Sequence, residues 1–174
     1  RRELGARTVF NILGPLTNPA GVNRQLLGIY SKELVEKIAG VLRNLGVHKA
    51  MVVHSDDGMD EVSICAPTTV AEVEDGRIHS RRIDPEEFGL ERGRLEDLLV
   101  DTPQESARVI RGILSGRQGP QRDTVLLNAG AAIYVGGKAE SVASGVELAA
   151  QVIDSGDAEK TLGNLARLSN QKCE

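Results

Sequence analysis

Aromatic residues are scarce in this chain, which has no tryptophan, two tyrosines and two phenylalanines among its 174 residues. Aliphatic side chains must therefore fill the core, and the 40% hydrophobic content is typical of a soluble globular protein. The two cysteines, Cys65 and Cys173, are far apart and do not make a disulfide framework. No apolar run approaches the roughly 18 residues that a bilayer span requires, and no stretch resembles a signal peptide. We therefore expect a cytoplasmic protein without a membrane segment.

Excess positive charge is also absent. The net charge of -4 leaves no basic surface for a polyanion, which argues against a nucleic-acid partner. The sequence contains neither a G-x-G-x-x-G motif nor a Walker loop, so dinucleotide and P-loop chemistry are disfavoured. The three histidines, His48, His54 and His79, lack the paired spacing of a zinc site.

The first regular pattern is a strand, a helix and a second strand. Residues Gln25–Tyr30 have the composition of a strand, and Ser31 is a suitable N-cap for a helix that continues to Leu45. Gly46 closes this helix, and the apolar run Ala50–Val53 predicts a short buried strand. A strand, helix and strand in one short unit imply a parallel pair joined by a right-handed crossover. Upstream, Gly14-Pro15 and Asn18-Pro19 break regular structure, so we predict a partly buried, turn-rich loop over residues 7–19.

A hairpin follows the second strand. Asp75-Gly76 lies between two strand-like segments, Thr68–Glu74 and Arg77–Arg82, and is a strong hairpin signal. We find no internal repeat or linker. The expected fold is therefore one α/β domain over residues 1–174, with a mixed, largely parallel sheet flanked by helices, a β-hairpin insertion and a helical C-terminal segment.

The C-terminal half of the chain is predicted to be helical. Thr102, Pro103 and Glu105 have the order of an N-cap, a first helical residue and a capping box. The helix that they begin is expected to turn its apolar side chains, including Ile110, inward and to end near Gly116. Three more helices are predicted, roughly at Arg122–Val135, Lys138–Ser155 and Asp157–Leu168.

The acidic turn at residues 54–61 is the strongest candidate site. It follows the buried strand Ala50–Val53 and places two adjacent carboxylates, Asp60 and Glu61, at the strand's C-terminal edge. Ligands of open α/β sheets lie at that edge, and adjacent carboxylates suit Mg²⁺, which takes one or two of them together with substrate phosphates. On spacing alone, a solvated acidic loop is the simpler explanation of the same residues.

Two other features have structural explanations. Gly136-Gly137 lies between predicted helices and is more typical of a helix C-cap than of a phosphate cradle. Asn128 interrupts an otherwise apolar helix, and we interpret it as a tie between that helix and a backbone loop.

Three ordered motifs resemble the anthranilate phosphoribosyltransferases. The first covers residues 1–19, from Arg1 to Pro19, and includes Asn-Ile-Leu-Gly-Pro-Leu. The second is Gly58–Ser63, which contains the Asp60-Glu61 pair, and the third is Arg122–Ala129. The resemblance is collinear and extends over essentially the whole chain.

The resemblance implies a reaction and a set of ligands. Members of this family transfer the 5-phosphoribosyl group of phosphoribosyl pyrophosphate to the amine of anthranilate, in tryptophan biosynthesis, and release pyrophosphate. Asp60 and Glu61 would then hold a Mg²⁺ bound to the pyrophosphate, Arg1 would meet the anthranilate carboxylate, and Gly14 and Pro15 would line the anthranilate channel. An arginine fork suits a planar carboxylate better than a lysine does.

The chain resembles only the C-terminal part of the family's α/β domain. The N-terminal half of the family enzyme, with its helical domain and glycine-rich pyrophosphate loop, has no counterpart here. We therefore expect the chain alone to bind Mg²⁺ weakly and to be inactive. The resemblance implies that the full-length protein is a homodimer. Two alternatives stay open: a pyrimidine nucleoside phosphorylase, which uses phosphate instead of a metal-bound pyrophosphate, and a non-catalytic relative that binds nucleic acid.

Overall fold

Four strands form one mixed sheet in the computed structural model of the chain, which describes residues 10–171. Side by side they are β1 (Arg24–Gly28), β2 (Lys49–Ser55), β3 (Thr68–Glu74) and β4 (Arg77–Ile83). β1 and β2 are parallel, as the predicted crossover requires, whereas β2–β3 and β3–β4 are antiparallel pairs. The mixed α/β fold is confirmed. The parallel part of the described sheet is smaller than expected, because the hairpin continues the sheet instead of standing apart from it.

Helices cover both faces of this sheet. Side chains alternate along β2, so Met51 and Val53 face one helical layer while Ala50 and Val52 face the other. Helix α2 (Val35–Asn44) covers the second face, and α4 (Pro120–Val135) and α5 (Val142–Asp154) cover the first. None of the described helices is long and apolar enough to cross a membrane. The other α-helices of the described residues are α1 (Phe10–Leu16), α3 (Pro103–Leu114) and α6 (Asp157–Ser169).

The predicted loop over residues 7–19 is wrong over residues 10–16, which form α1. Pro15 removes a single N–H donor, and in so short a helix most N–H groups have no intrahelical partner in any case. Ile12 and Leu16 pack against the core on the α2 side, and this contact favours a helix with one apolar face. The break at Asn18-Pro19 is where we predicted it, and a turn follows there.

Two predicted N-caps differ in their details. Ser31 has the extended backbone of an N-cap, but its hydroxyl donates to the Glu33 carboxylate, and a short 3₁₀ turn precedes α2. Thr102 caps α3 as predicted, since its hydroxyl oxygen accepts the Glu105 N–H at 3.2 Å. The Glu105 carboxylate accepts the N–H of Asp101, at 3.0 Å, rather than that of Thr102. The expected capping box is therefore displaced by one residue.

The predicted inward face of α3 is wrong at Ile110, which is 46% exposed. Ile113 is the buried residue of this helix and packs into the core with α4 and α5. Ile110 faces α6 across an open groove, and no described residue of α6 is itself buried. The apolar face of α3 therefore exists as predicted, but α6 covers only part of that face.

Glycines allow α4 and α5 to cross closely, and this contact gives a first prediction. A Cβ added to Gly145 would lie 2.3 Å from the carbonyl oxygen of Gly130. Overpacking of this kind costs about 1–3 kcal/mol, so Gly145→Ala should lower the unfolding temperature by several degrees. The matched control is Gly163→Ala in α6, where an added Cβ meets no atom within 4 Å. Thermal unfolding followed by circular dichroism tests the pair, and equal unfolding temperatures would refute the close crossing.

Candidate metal and substrate site

The acidic turn is held together by its own hydrogen bonds. Where β2 ends, the Ser55 N–H donates to the Met59 carbonyl and the Gly58 N–H donates to the Ser55 carbonyl, both at 3.0 Å. The Asp57 carboxylate accepts the Met59 N–H at 3.0 Å and the Ser63 hydroxyl at 2.5 Å. Asp57 therefore has a structural role, and Asp56 of the same turn pairs with Lys32 and Arg82. The shape of the turn does not depend on Asp60 or Glu61.

Asp60 and Glu61 are the carboxylates that this arrangement leaves available. Both are exposed, and neither makes a hydrogen bond or ion pair with another described residue. Partial desolvation raises the pKa of Glu61, and the negative charge of Asp60 raises that pKa further. Two adjacent anions without a counter-charge among the residues that the structure describes form a site that a cation would stabilise.

Gly28, at the end of β1, allows the acidic turn to reach the sheet edge. An added Cβ at this position would lie 1.5 Å from the carbonyl oxygen of Asp60 and 2.5 Å from its carbonyl carbon. Only glycine permits so close an approach of two backbone segments. Sequence reasoning missed this residue. Its one signal was an isolated glycine in a strand pattern, which is typical of a close backbone approach.

A cavity of about 250 Å³ lies where these elements meet, lined by Leu26, Gly28, Val53, Asp60, Glu61 and Asn128. The structure thus brings the two predicted metal ligands into one cavity at the C-terminal ends of β1 and β2. A larger cavity, of about 430 Å³, lies by α3 and is lined by charged residues of both signs without an adjacent carboxylate pair. The smaller cavity is therefore the better candidate site, because of its carboxylate donors and not because of its volume.

The donor set fits Mg²⁺ bound together with a substrate. Carboxylate oxygens are the hard ligands that Mg²⁺ prefers, and one or two carboxylates plus phosphates are its usual protein environment. Within residues 10–171, no group of three or more His, Cys, Asp or Glu side chains could hold a metal ion. A closed, all-protein metal site is therefore not built there, and Asp60 and Glu61 fit a cation that a phosphorylated ligand completes.

The structure does not place Gly14 or Pro15 in this cavity, and Arg1 lies outside the residues that the structure describes. Gly14 is exposed in α1 with open space around it, and the carbonyl of Pro15 accepts a hydrogen bond from Gln25 at 3.3 Å. Pro15 lines a separate cavity of about 290 Å³ along β1, which shares the residue Leu26 with the acidic cavity. Their role toward anthranilate stays a prediction.

The interpretation of Asn128 as a tie between a helix and a loop is confirmed. Its Oδ1 accepts the Val62 N–H at 2.9 Å, and its Nδ2 donates to the Val62 carbonyl at 2.8 Å. Nδ2 also donates to the Thr124 carbonyl within α4, at 3.0 Å. The side chain therefore fixes the residue that directly follows the acidic pair.

Comparison with known proteins gives consistent matches. Residues 1–159 match the family model described as "Glycosyl transferase family, a/b domain". The anthranilate phosphoribosyltransferase of Methanobrevibacter smithii is 49% identical over 170 residues, which are 98% of this chain and 51% of that protein. The enzyme of the same name from Desulfosudis oleivorans is 51% identical over 166 residues, 95% of this chain and 49% of that protein.

Solved structures of proteins with the same name are similar to this chain in fold. The anthranilate phosphoribosyltransferase of Thermus thermophilus superposes with a TM-score of 0.85 at 44% identity, covering 94% of this chain and 48% of that one. The Saccharomyces cerevisiae enzyme in complex with PRPP and Mg superposes with a TM-score of 0.82 at 32% identity, covering 94% and 47%. The chain spans about half the length of the curated relatives that it matches.

Proposed function

The chain belongs to the glycosyl transferase family whose α/β domain it matches, and from this premise we propose that it is the metal-binding, C-terminal part of an anthranilate phosphoribosyltransferase. The full-length protein, meaning a polypeptide of the relatives' length that contains this chain, would convert anthranilate and phosphoribosyl pyrophosphate into N-(5-phosphoribosyl)anthranilate and pyrophosphate, in tryptophan biosynthesis. The observation that carries the proposal is the unpaired Asp60-Glu61 couple beside Gly28, in a cavity at the sheet edge.

Each proposed site residue has a physical task in this reaction. Asp60 and Glu61 hold the cation that accompanies the pyrophosphate, and the rigid turn around Asp57 keeps them in place. When bound, Mg²⁺ offsets the negative charge that develops on the departing pyrophosphate. Arg1 would pair with the anthranilate carboxylate. Gly14 and Pro15 would limit the space beside the flat ring.

The remaining parts of the enzyme are proposed to come from outside this chain. An N-terminal half would supply a helical domain, the glycine-rich grip on pyrophosphate and most of the homodimer contact. β1 is an edge strand of the described sheet, and an unpaired edge is a surface on which further strands can add. We place the assembled protein in the cytoplasm.

The experiment that tests this function is the loss of anthranilate fluorescence in the presence of phosphoribosyl pyrophosphate and Mg²⁺. The absence of tryptophan from this chain keeps its own fluorescence low. We expect turnover by the full-length protein and none by residues 1–174 alone. Normal turnover by the isolated chain would contradict the proposed division of labour, and no turnover by a folded full-length protein would contradict the function.

Neither alternative is favoured by the site. A phosphorylase would bind a bare phosphate, and Asp60 and Glu61 would repel that anion unless a cation stood between them. A nucleic-acid partner would need a basic surface. Arg77, Arg81 and Arg82 do lie on β4, but Arg82 is paired with Asp56.

A further inference from the structure

We propose that Asn128 is a positioning residue, whose carboxamide aims Asp60 and Glu61 toward the cation by fixing the backbone of Val62. This inference rests on the proposed metal role of the acidic pair and adds a residue on which that role depends. Asn128 lines the same cavity as the two carboxylates. It acts through the peptide groups of the residue that follows them, and not as a ligand.

The hydrogen bonds of Asn128 define both peptide groups of Val62. A carboxamide offers a donor and an acceptor side by side, as a neighbouring strand would, and Asn128 uses both on this one residue at 2.9 and 2.8 Å. The second N–H of Nδ2 donates to the Thr124 carbonyl at 3.0 Å, so both donors of the carboxamide have a partner. Val62 itself is fully buried. A buried residue whose N–H and carbonyl are both fixed holds the preceding peptide, that of Glu61, in one orientation.

α4 presents this carboxamide from a rigid support. At the other end of the helix, the Tyr134 hydroxyl donates to the Glu72 carboxylate, and the Lys49 ammonium lies 3.7 Å from the Tyr134 ring centroid. Arg24 of β1 donates to the Val135 carbonyl at 2.7 Å. These contacts fix the C-terminal end of α4 against the sheet. Sites supported by such fixed elements hold their geometry better than sites on unsupported loops.

The acidic turn is thus held from two sides. β1 touches it through Gly28, against the Asp60 carbonyl, and α4 touches it through Asn128, at Val62. Asp60 and Glu61 lie between these two contacts. Removing the contact at Asn128 frees the turn to move on the helix side alone, which changes the direction of the carboxylates without changing their chemistry.

Asn128→Asp is the sharpest test because it preserves the shape. It replaces the Nδ2 donor with an acceptor that faces the carbonyls of Val62 and Thr124, so two hydrogen bonds are lost and like partial charges meet. We expect the dissociation constant for Mn²⁺, used as a spectroscopic substitute for Mg²⁺ in the presence of phosphoribosyl pyrophosphate, to rise about 10-fold or more in the full-length protein. Mutation of residues that orient metal ligands without contacting the metal typically weakens metal affinity by about 10- to 100-fold. Electron paramagnetic resonance of free Mn²⁺ measures it.

A control for stability separates positioning from folding. Val47→Ala removes buried methyl groups from the core on the α2 side of the sheet, away from α4 and the acidic turn, and both proteins are measured well below their unfolding temperatures. We expect Val47→Ala to bind Mn²⁺ as the unaltered protein does. We also expect Asn128→Asp to raise the KM for phosphoribosyl pyrophosphate more than the KM for anthranilate. Equal metal affinity in the unaltered protein and Asn128→Asp would overturn the proposal.

Two further outcomes remain informative. If Asn128→Asp does not fold, Asn128→Gln carries the same prediction, because it keeps donor and acceptor but displaces them by one methylene. Unaltered affinity in that variant would equally overturn the positioning role. If the unaltered full-length protein binds no Mn²⁺ with phosphoribosyl pyrophosphate, the proposed function itself fails, and this inference fails with it.

Discussion

Removing both carboxylates in Asp60→Asn/Glu61→Gln is expected to reduce turnover of the full-length protein by at least about 10²-fold. Electrostatic groups that act on charge developing in a transition state typically contribute about 10²- to 10³-fold each. The amides keep the shape of the side chains and remove only the two negative charges that are proposed to hold the cation. The initial rate of anthranilate fluorescence loss, at saturating Mg²⁺, measures the effect.

Stability distinguishes this loss from unfolding. Neither carboxylate makes a hydrogen bond or ion pair with another residue in the described part of the chain, and the pKa of Glu61 is raised by desolvation and by Asp60. A carboxyl whose pKa is higher in the folded state than in the unfolded chain opposes folding at pH values above that pKa. Its ionised form is less stable in the folded protein than in the unfolded chain. The double variant should therefore unfold at the same temperature as the unaltered protein, or slightly higher, while its turnover is lost.

A matched control removes the same charge elsewhere. Glu140 and Glu147 are exposed, and neither has a hydrogen bond or ion pair with a described residue. Glu140→Gln/Glu147→Gln should retain turnover within about twofold, because it alters the net charge without touching the cavity. Comparable activity in both double variants would exclude Asp60 and Glu61 as the metal ligands.

Gly28→Ala is expected to have the second-largest effect on turnover, because it displaces the acidic turn without altering its charge. The new methyl group would lie 1.5 Å from the Asp60 carbonyl oxygen, so the acidic turn must retreat from β1. A misplacement of about 1 Å at a reacting centre can reduce the rate about 10²-fold. We expect a loss of that order in turnover, together with a destabilisation of about 1–3 kcal/mol from overpacking. The fluorescence assay and thermal unfolding measure the two effects.

The control for this change is a glycine with room around it. Gly40 lies within α2, and an added Cβ there would meet no atom within 4 Å outside its own helix. Gly40→Ala should leave turnover unaltered and stabilise the helix by up to about 1 kcal/mol, because alanine is the better helix former. A Gly28→Ala protein that behaves like Gly40→Ala would show that the turn does not lie against β1 in solution.

Local signals predicted much of this fold. The parallel crossover, the hairpin at Asp75-Gly76 and the N-cap at Thr102 follow from patterns within a few residues of each element. The prediction failed for residues 10–16, where contact with the distant α2 side of the core overrides the breaking tendency of Gly14-Pro15. Burial of Ile110 was likewise misjudged, since periodicity identifies an apolar face but not what covers it.

Of the residues in the candidate site, only the two carboxylates could be predicted from the sequence as metal ligands. Asp60 and Glu61 are adjacent in sequence, and their place after a buried strand points to the sheet edge. Gly28 is far from them along the chain, and its local signal, an isolated glycine in a strand, does not identify Asp60 as the backbone that approaches it. Asn128 stood out as a polar residue in an apolar helix, but its partner Val62 became known only from the fold.

Titration of phosphoribosyl pyrophosphate into the full-length protein, followed by calorimetry with and without Mg²⁺, tests the central claim most directly. If Asp60 and Glu61 hold the cation that accompanies the pyrophosphate, binding should be strengthened by Mg²⁺ in the unaltered protein, and Asp60→Asn/Glu61→Gln should abolish that strengthening. Equal strengthening by Mg²⁺ in both proteins would place the cation elsewhere and contradict the account.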